Sequence, residues 1–299
     1  MRGEHMPSPE HEAVVAMLQA APLTEAPSLE EQRANYDAML SAAPIGDDVT
    51  VEPVTIEHIA ADIVSVPSSS ADRVILYFHG GGYVIGSNVA YRGFAGRLAR
   101  ATSSRVCVVN YRLAPEHPFP AALDDAVMAY SWLRQQGYAA NRIVIAGDSA
   151  GGGLTLATLL KLRELAEPLP AGAVTLSPWS DLAGTGATLA PGAVDDPLVQ
   201  GDAIGGMAGM YAPNDLTNPL ASPLYGDYAG LPPLLIQVGG REVLLDDAVR
   251  VRDKARAAGV DVVYFEGDGL IHVWPVLAAN APESEAALSQ IGEFVAAHT

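Results

Sequence analysis

A chain of 299 residues with 49% apolar content can bury one large core, with or without a smaller covering element, and needs no metal or disulfide to do so. Its net charge of -18 would repel a polyphosphate backbone, and its 15 arginines and two lysines are scattered rather than gathered into a stripe, which excludes nucleic acid as a partner. No apolar run reaches the roughly 18 residues of a membrane span, and Met1 to Glu12 carry no stretch like a signal peptide, so a soluble, cytoplasmic protein is expected.

The first 45 or so residues are helical in pattern and punctuated by proline. Their apolar residues recur at helical spacing (Val14, Met17, Leu18, then Leu29, Tyr36, Met39, Leu40), so this segment must bury a face against something. From about Val49, short β-branched runs alternate with helical patterns, the signature of a mostly parallel sheet covered by helices. Strands are expected at Val49 to Ile56, Ile59 to Val66, Arg73 to Phe78, Arg105 to Tyr111, Arg142 to Ala146, Ala173 to Leu176, Leu234 to Val238 and Val260 to Phe265. Helices are expected near Tyr91 to Thr102, Ala121 to Gln136, Gly152 to Leu165, Asp246 to Ala258 and Glu283 to Ala297. The Gly-, Pro- and Asp-rich stretch from Ser180 to Tyr228 breaks this rhythm. The expected architecture is therefore an α/β fold in which residues 48–179 and 228–299 form the core and residues 1–47 and 180–227 a helical cap. Cys107 lies in a β-rich apolar run, where a thiol behaves as a small core hydrophobe.

The chemistry is carried by the junction after Arg142-Ile-Val-Ile-Ala146. There Gly147-Asp-Ser-Ala-Gly151 joins a strand to a helix, the context in which G-x-S-x-G forms a sharp turn that pushes its serine outward. A serine hydroxyl is a poor nucleophile at neutral pH, so Ser149 needs an imidazole to take its proton and a carboxylate to orient that imidazole. Among the seven histidines, His272 both follows Ser149 and sits just beyond a strand, whereas His298 is one residue from the end. For the acid, Glu242 comes first after the strand Leu234 to Val238. Asp246 stays open as an alternative, although it and Asp247 fall where carboxylates suit the positive end of the next helix.

A developing oxyanion needs donors, and backbone N–H groups beside glycine supply them without obstruction. His79-Gly80-Gly81-Gly82 follows the strand Arg73 to Phe78, with the second donor expected from Ala150, the residue after the nucleophile. A dinucleotide fingerprint starting at Gly80 fails because position 85 is Ile85, and no H-E-x-x-H, paired C-x-x-C or G-x-x-x-x-G-K is present, so neither cofactor nor metal is implied.

Three motifs in order, His79-Gly-Gly-Gly-Tyr83, Tyr111-Arg-Leu-Ala-Pro-Glu-His-Pro-Phe-Pro120 and Gly147-Asp-Ser-Ala-Gly-Gly152, closely resemble the bacterial hormone-sensitive-lipase-like esterases over roughly residues 72 to 299. The resemblance implies an α/β-hydrolase core under a helical cap, hydrolysis of short to medium acyl esters, and oxyanion donors at Gly81, Gly82 and Ala150. The sequence departs from that pattern twice. Glu242 stands where the family usually has Asp, and His272-Val-Trp274 where it usually has His-Gly-Phe, which would narrow the pocket beside the imidazole. Both departures resemble the monoterpene-lactone hydrolase branch.

Three functions are therefore weighed: ester or lactone hydrolysis, amide hydrolysis or acyl transfer by the same nucleophile, and ligand binding without turnover. Receptors resembling this family have lost the catalytic histidine, and the presence of His272 favours catalysis. The expected partner is a small-molecule ester; a homodimer is compatible with the sequence, though no residue argues for it. Tyr111 to Pro120 reads as structural, with Arg112 and Asp124 as a candidate pair. Met207, Met210, Tyr211, Met17 and Leu18 read as packing between cap helices in preference to an acyl pocket.

Overall fold

The computed structural model describes residues 6–20, 27–199 and 201–299, so the expected segments 1–47 and 180–227 are covered only in part. Two helices, α1 (Pro9–Ala20) and α2 (Leu29–Ser41), precede the sheet. The first strands are β1 (Thr50–Ile56), β2 (Ile59–Ser65) and β3 (Ser70–Phe78), followed by α3 (Arg92–Thr102), β4 (Ser104–Val109), α4 (Ala121–Gln135), β5 (Ile143–Asp148), α5 (Ala150–Glu164) and β6 (Gly172–Leu176). Then come α6 (Gly201–Tyr211), β7 (Leu234–Gly239), α7 (Leu245–Ala257), β8 (Val262–Gly267), α8 (Trp274–Leu277) and α9 (Pro282–His298).

The eight strands lie in the order β1-β2-β4-β3-β5-β6-β7-β8. β1 and β2 are antiparallel to their neighbours and the remaining pairs are parallel. Parallel strands are buried on both faces, which explains why β3, β4 and β5 read as continuous apolar runs. Val74, Leu76, Cys107, Val109, Ile143 and Ile145 face the layer of α4, α5 and α7, while Ile75, Tyr77, Val106, Val108, Val144 and Ala146 face α3 and α9. Burial pushes the Cys107 thiol up to about 12, as an inert core group requires.

All eight expected strands are present. The largest boundary shift is at β3, expected from Arg73 and observed from Ser70, and β8 is displaced by two residues, expected from Val260 and observed from Val262. Gly259 takes φ 81° and Val260 donates its N–H to the Ala255 carbonyl, so these residues close α7 instead of opening the strand. Among the described residues no helix is long and apolar enough to cross a membrane.

Strand order fixes where chemistry can occur. From β3 the chain crosses to β4 on one side and, later, to β5 on the other, and such a reversal opens a crevice at the carboxyl ends of the strands. The loops after β3 and β5 leave from neighbouring strands, with Phe78 in register with Gly147, and those after β7 and β8 do the same, with Gly239 in register with Gly267.

Candidate active site

Ser149 sits at φ 52°, ψ -118°, a conformation rarely adopted by a residue with a side chain and costing on the order of 1–3 kcal/mol. Its N–H donates to the Leu176 carbonyl at 2.8 Å and its own carbonyl accepts from Trp179 at 2.9 Å, which locks the turn between β5, α5 and the loop after β6. The flanking glycines are required by contact. A Cβ on Gly147 would lie 2.3 Å from the Gly151 carbonyl oxygen, and one on Gly151 would lie 2.0 Å from that of Phe78.

His272 follows β8 and is almost fully buried. Its Nδ1 lies 3.1 Å from Glu242 Oε1. Glu242 is itself buried, and its Oε2 accepts from the Ser177 hydroxyl at 2.7 Å and from the Gly239 N–H at 2.8 Å. Asp246 and Asp247 take no part: Asp246 accepts from the Ala187 N–H, and Asp247 from the N–H groups of Ser180 and Asp181, both at the start of α7 as expected. Burial disfavours the charged form of His272, but the attraction and hydrogen bond of Glu242, aided by Asp196 and Asp148, outweigh it and hold the imidazole above its ordinary value.

Gly81 and Gly82 have φ 111° and 62°, a backbone course open chiefly to glycine. The Gly81 carbonyl accepts from Val84 and Ile85, which fixes the loop, while among the described residues no hydrogen bond uses the N–H of Gly81, Gly82 or Ala150. Ala150 opens α5, so its free N–H lies at the positive end of that helix. Ser149, His272, Gly81 and Gly82 line a single cavity of about 170 Å³, walled by Tyr36 of α2, by Ala203, Ile204 and Met207 of α6, and by Trp179, Val273 and Leu277.

The groups beneath the loop form a second buried layer. Asp148 accepts from Tyr77, Tyr91 and the Gly80 N–H at 2.8, 2.8 and 2.9 Å, and burial pushes its carboxyl up to about 6 against the pull of those bonds. Tyr36 reaches the Tyr91 hydroxyl at 3.0 Å, so α2 is tied to this layer. Burial lowers His79 to about 4. Its Nδ1 bonds the Gly80 carbonyl at 2.7 Å, its ring stacks on Tyr111 at 4.3 Å, and the Tyr111 hydroxyl donates to the His79 carbonyl. The Tyr111 to Pro120 stretch thus buttresses the glycine loop.

Three expectations change. Arg112 pairs with Asp125, not Asp124: its Nη2 lies 2.7 Å from Asp125 Oδ1, because Asp125 is on the buried face of α4. Val273 lines the cavity as expected, but Trp274 is packed beneath it against Val15, Leu270, Ile271 and Ala287. Met207 lies on the cavity, where its sulfur would be 2.2 Å from a Cβ on Gly82. Met17 and Leu18 border a separate groove, and Tyr211 stacks on Tyr83 at 3.7 Å. Two contributors had escaped the sequence reading. Ser177 stands just beyond β6 among Thr175, Ser180 and Asp181 with no local signal to single it out, and Asp148 sits inside the serine motif, where a charge among small residues is the signal that could have found it.

Residues 75–276 match the protein family described as having the alpha/beta hydrolase fold. A crystal structure of an esterase from the bacterial hormone-sensitive lipase family superposes with a TM-score of 0.94 at 43% identity, over 98% of this chain and 99% of that one. This chain belongs to that family. The chain is also similar to an acetyl-hydrolase of Streptomyces hygroscopicus, 40% identical over 97% of each chain, and to an esterase of Acinetobacter venetianus, 35% identical over 86% of each. EstE5, soaked with p-nitrophenyl butyrate in its crystal structure, superposes with a TM-score of 0.91 at 41% identity over 96% of this chain and 98% of its own. These esterases and acetyl-hydrolase lend no support to the narrower monoterpene-lactone likeness. For this family member, His272-Val273 carries a conformational reason for the usual glycine: Val273 has φ 47°, where a β-branched residue is strained.

Proposed function

We propose that this family member hydrolyses carboxylic esters of short acyl chain through a covalent acyl-enzyme, with Ser149 as nucleophile, His272 as general base and acid, and Glu242 orienting the imidazole. Ser149 Oγ attacks the ester carbonyl while His272 Nε2 takes its proton. The oxygen that becomes negative is received by the N–H groups of Gly81, Gly82 and Ala150, and His272 then returns the proton to the departing alcohol. Water repeats the sequence to release the acid. The observation that supports this reading is the joining, around one cavity, of a strained serine, a carboxylate-bound imidazole and the uncommitted N–H groups of Gly81 and Gly82, with that of Ala150 next to the serine in the chain.

Cavity size argues for the short end of the acyl range. About 170 Å³ holds roughly six atoms of water size, enough for the acetyl or butyryl group of an ester. Leu277 is a wall shared with an apolar groove of about 560 Å³ between α1, α2 and α8, so a medium chain would have to displace it. We assign residues 1–47 and 180–227 to a cap, on the ground that Tyr36, Ile204 and Met207 cover Ser149. The test is hydrolysis of a p-nitrophenyl ester series by wild type and Ser149→Ala. The reading expects a maximum at two to four acyl carbons and, for the variant, a loss of about 10⁴-fold or more. Hydrolysis surviving in Ser149→Ala would refute it.

A further inference from the structure

The N-terminal helix reaches the histidine loop through a residue that the chemistry above leaves unused. His11 of α1 has no exposed surface, and its Nε2 accepts the backbone N–H of Ile271, the residue before His272, at 3.2 Å. An accepting Nε2 places the ring proton on Nδ1, so His11 is neutral there. Nδ1 lies 3.6 Å from Glu12 Oε1 and is a buried atom without a hydrogen-bond partner. The helix is held in place on both sides of this contact. Ser8 donates its N–H and its hydroxyl to the Glu283 carboxylate at 2.5 and 2.7 Å, and Val15 packs with Leu270, Ile271 and Trp274.

We propose that His11 is a positioning residue for His272, anchoring the backbone immediately upstream of the catalytic imidazole by accepting the Ile271 N–H. The inference rests on His272 being the general base. The peptide between Leu270 and Ile271 is held at both ends, its carbonyl accepting the Arg241 N–H at 3.0 Å and its N–H donating to His11; Leu270 donates to the Gly267 carbonyl and Val273 to the Ser177 hydroxyl, so His11 is the acceptor for Ile271. Without an acceptor, the Ile271 N–H would be buried unpaired, a state the loop escapes by moving.

The contact also carries a proton dependence. A protonated ring has N–H on both nitrogens and cannot accept, so the anchor exists only while His11 is neutral. Burial lowers its pKa, opposed by the carboxylates of Glu12 on α1 and Glu283 on α9 and assisted by Arg241 in the loop after β7. The sign follows: the neutral form is favoured by folding, so the anchor's full stabilisation is present above the ordinary histidine value and is lost as pH falls through the lowered value of the folded state. Two protons, one on His272 and one on His11, would then stop the enzyme on the acid side.

Three chains test this: wild type, His11→Leu, which cannot accept, and His11→Gln, whose amide oxygen can accept but does not titrate. Hydrolysis of p-nitrophenyl butyrate is followed from pH 4.5 to 9, and deuterium uptake by the peptide Asp268–Val273 is measured at pH 7.5 with each substitution placed in Ser149→Ala. The proposal expects His11→Leu to lower kcat roughly tenfold with KM within about twofold and to raise uptake, and His11→Gln to recover most of both. It also expects the acid limb of kcat/KM to steepen towards a two-proton slope in wild type and to keep a one-proton slope in His11→Gln. Equal kcat and equal uptake in the two variants would overturn it. Should His11→Leu not fold, His11→Ala, which also cannot accept, takes its place in both measurements. Failure of the serine mechanism would show separately, as hydrolysis persisting in Ser149→Ala, and would leave the deuterium comparison standing.

Discussion

The loops at the carboxyl ends of β3, β5 and β8 and helix α2 meet at one cavity, with Glu242 of the β7 loop and His11 of α1 behind His272, yet the loops and the two N-terminal helices are held by different kinds of contact. The loops are fixed by backbone against backbone. Gly147, Gly151 and Gly239 each have a carbonyl oxygen within 2.3 Å of where a Cβ would stand, and the strained Ser149 turn is bonded to β6 and to Trp179. The helices are fixed by a few side chains that cross long stretches of sequence. Arg33 reaches the Val84 and Ala114 carbonyls and Glu116, Tyr36 reaches Tyr91, Ser8 reaches Glu283, and His11 reaches Ile271. A site built on the sheet edge is therefore preorganised, whereas its cover is held by bonds that can be removed one at a time.

If that contrast is right, damage on the sheet edge should cost far more than damage to the cover. The largest effect is expected for Glu242→Gln, which removes the carboxylate that orients His272 and holds it above its ordinary pKa. A fall in kcat of about 10²- to 10⁴-fold should accompany a shift of the acid limb of kcat/KM to lower pH, because His272 would then protonate less readily. A profile that keeps its midpoint would mean that Glu242 does not set the histidine's proton affinity.

Next comes Gly80→Ala. Its Cβ would lie 2.3 Å from Asp148 Oδ2, so the loop carrying Gly81 and Gly82 must shift away from the oxyanion. Displacing such donors costs about 3 kcal/mol, roughly a hundredfold in kcat, with KM much less affected. An unchanged kcat would show that these glycines do not serve the transition state.

Arg33→Ala should have the smallest effect, since its pair with Glu116 is half exposed and such pairs contribute about 1 kcal/mol or less. Loosening α2 over the cavity should raise KM a few-fold and lower the unfolding midpoint by a few degrees while leaving kcat within about twofold. A collapse of kcat comparable to Gly80→Ala would erase the distinction between edge and cover.

The same contrast explains what could be read in the sequence. Ser149, the glycine loop and the strands announce themselves because short segments dictate them: a tight turn needs its glycines within five residues, and a parallel strand needs an unbroken apolar run. Glu242 and His272, which the structure brings to 3.1 Å of each other, are legible from order along the chain and from their position just beyond strands. The side chains that hold them were not. Ser177 bonds Glu242 across 65 residues and His11 bonds Ile271 across 260, and nothing in the local pattern at either end names the partner. Arg112 illustrates the limit at short range, where charge suggested Asp124 but the buried face of α4 presents Asp125. Val273 was noted as a departure from glycine, but its left-handed backbone is a property of the fold alone.

The most direct measurement of the central claim is covalent. Wild type and Ser149→Ala are reacted with a p-nitrophenyl phosphonate ester, and the adduct is located by peptide mass spectrometry. The account predicts one adduct per chain, on Ser149 in wild type and nowhere in the variant, with loss of hydrolysis in proportion to labelling. Stoichiometric labelling of another residue, or full hydrolysis after Ser149 is blocked, would contradict it.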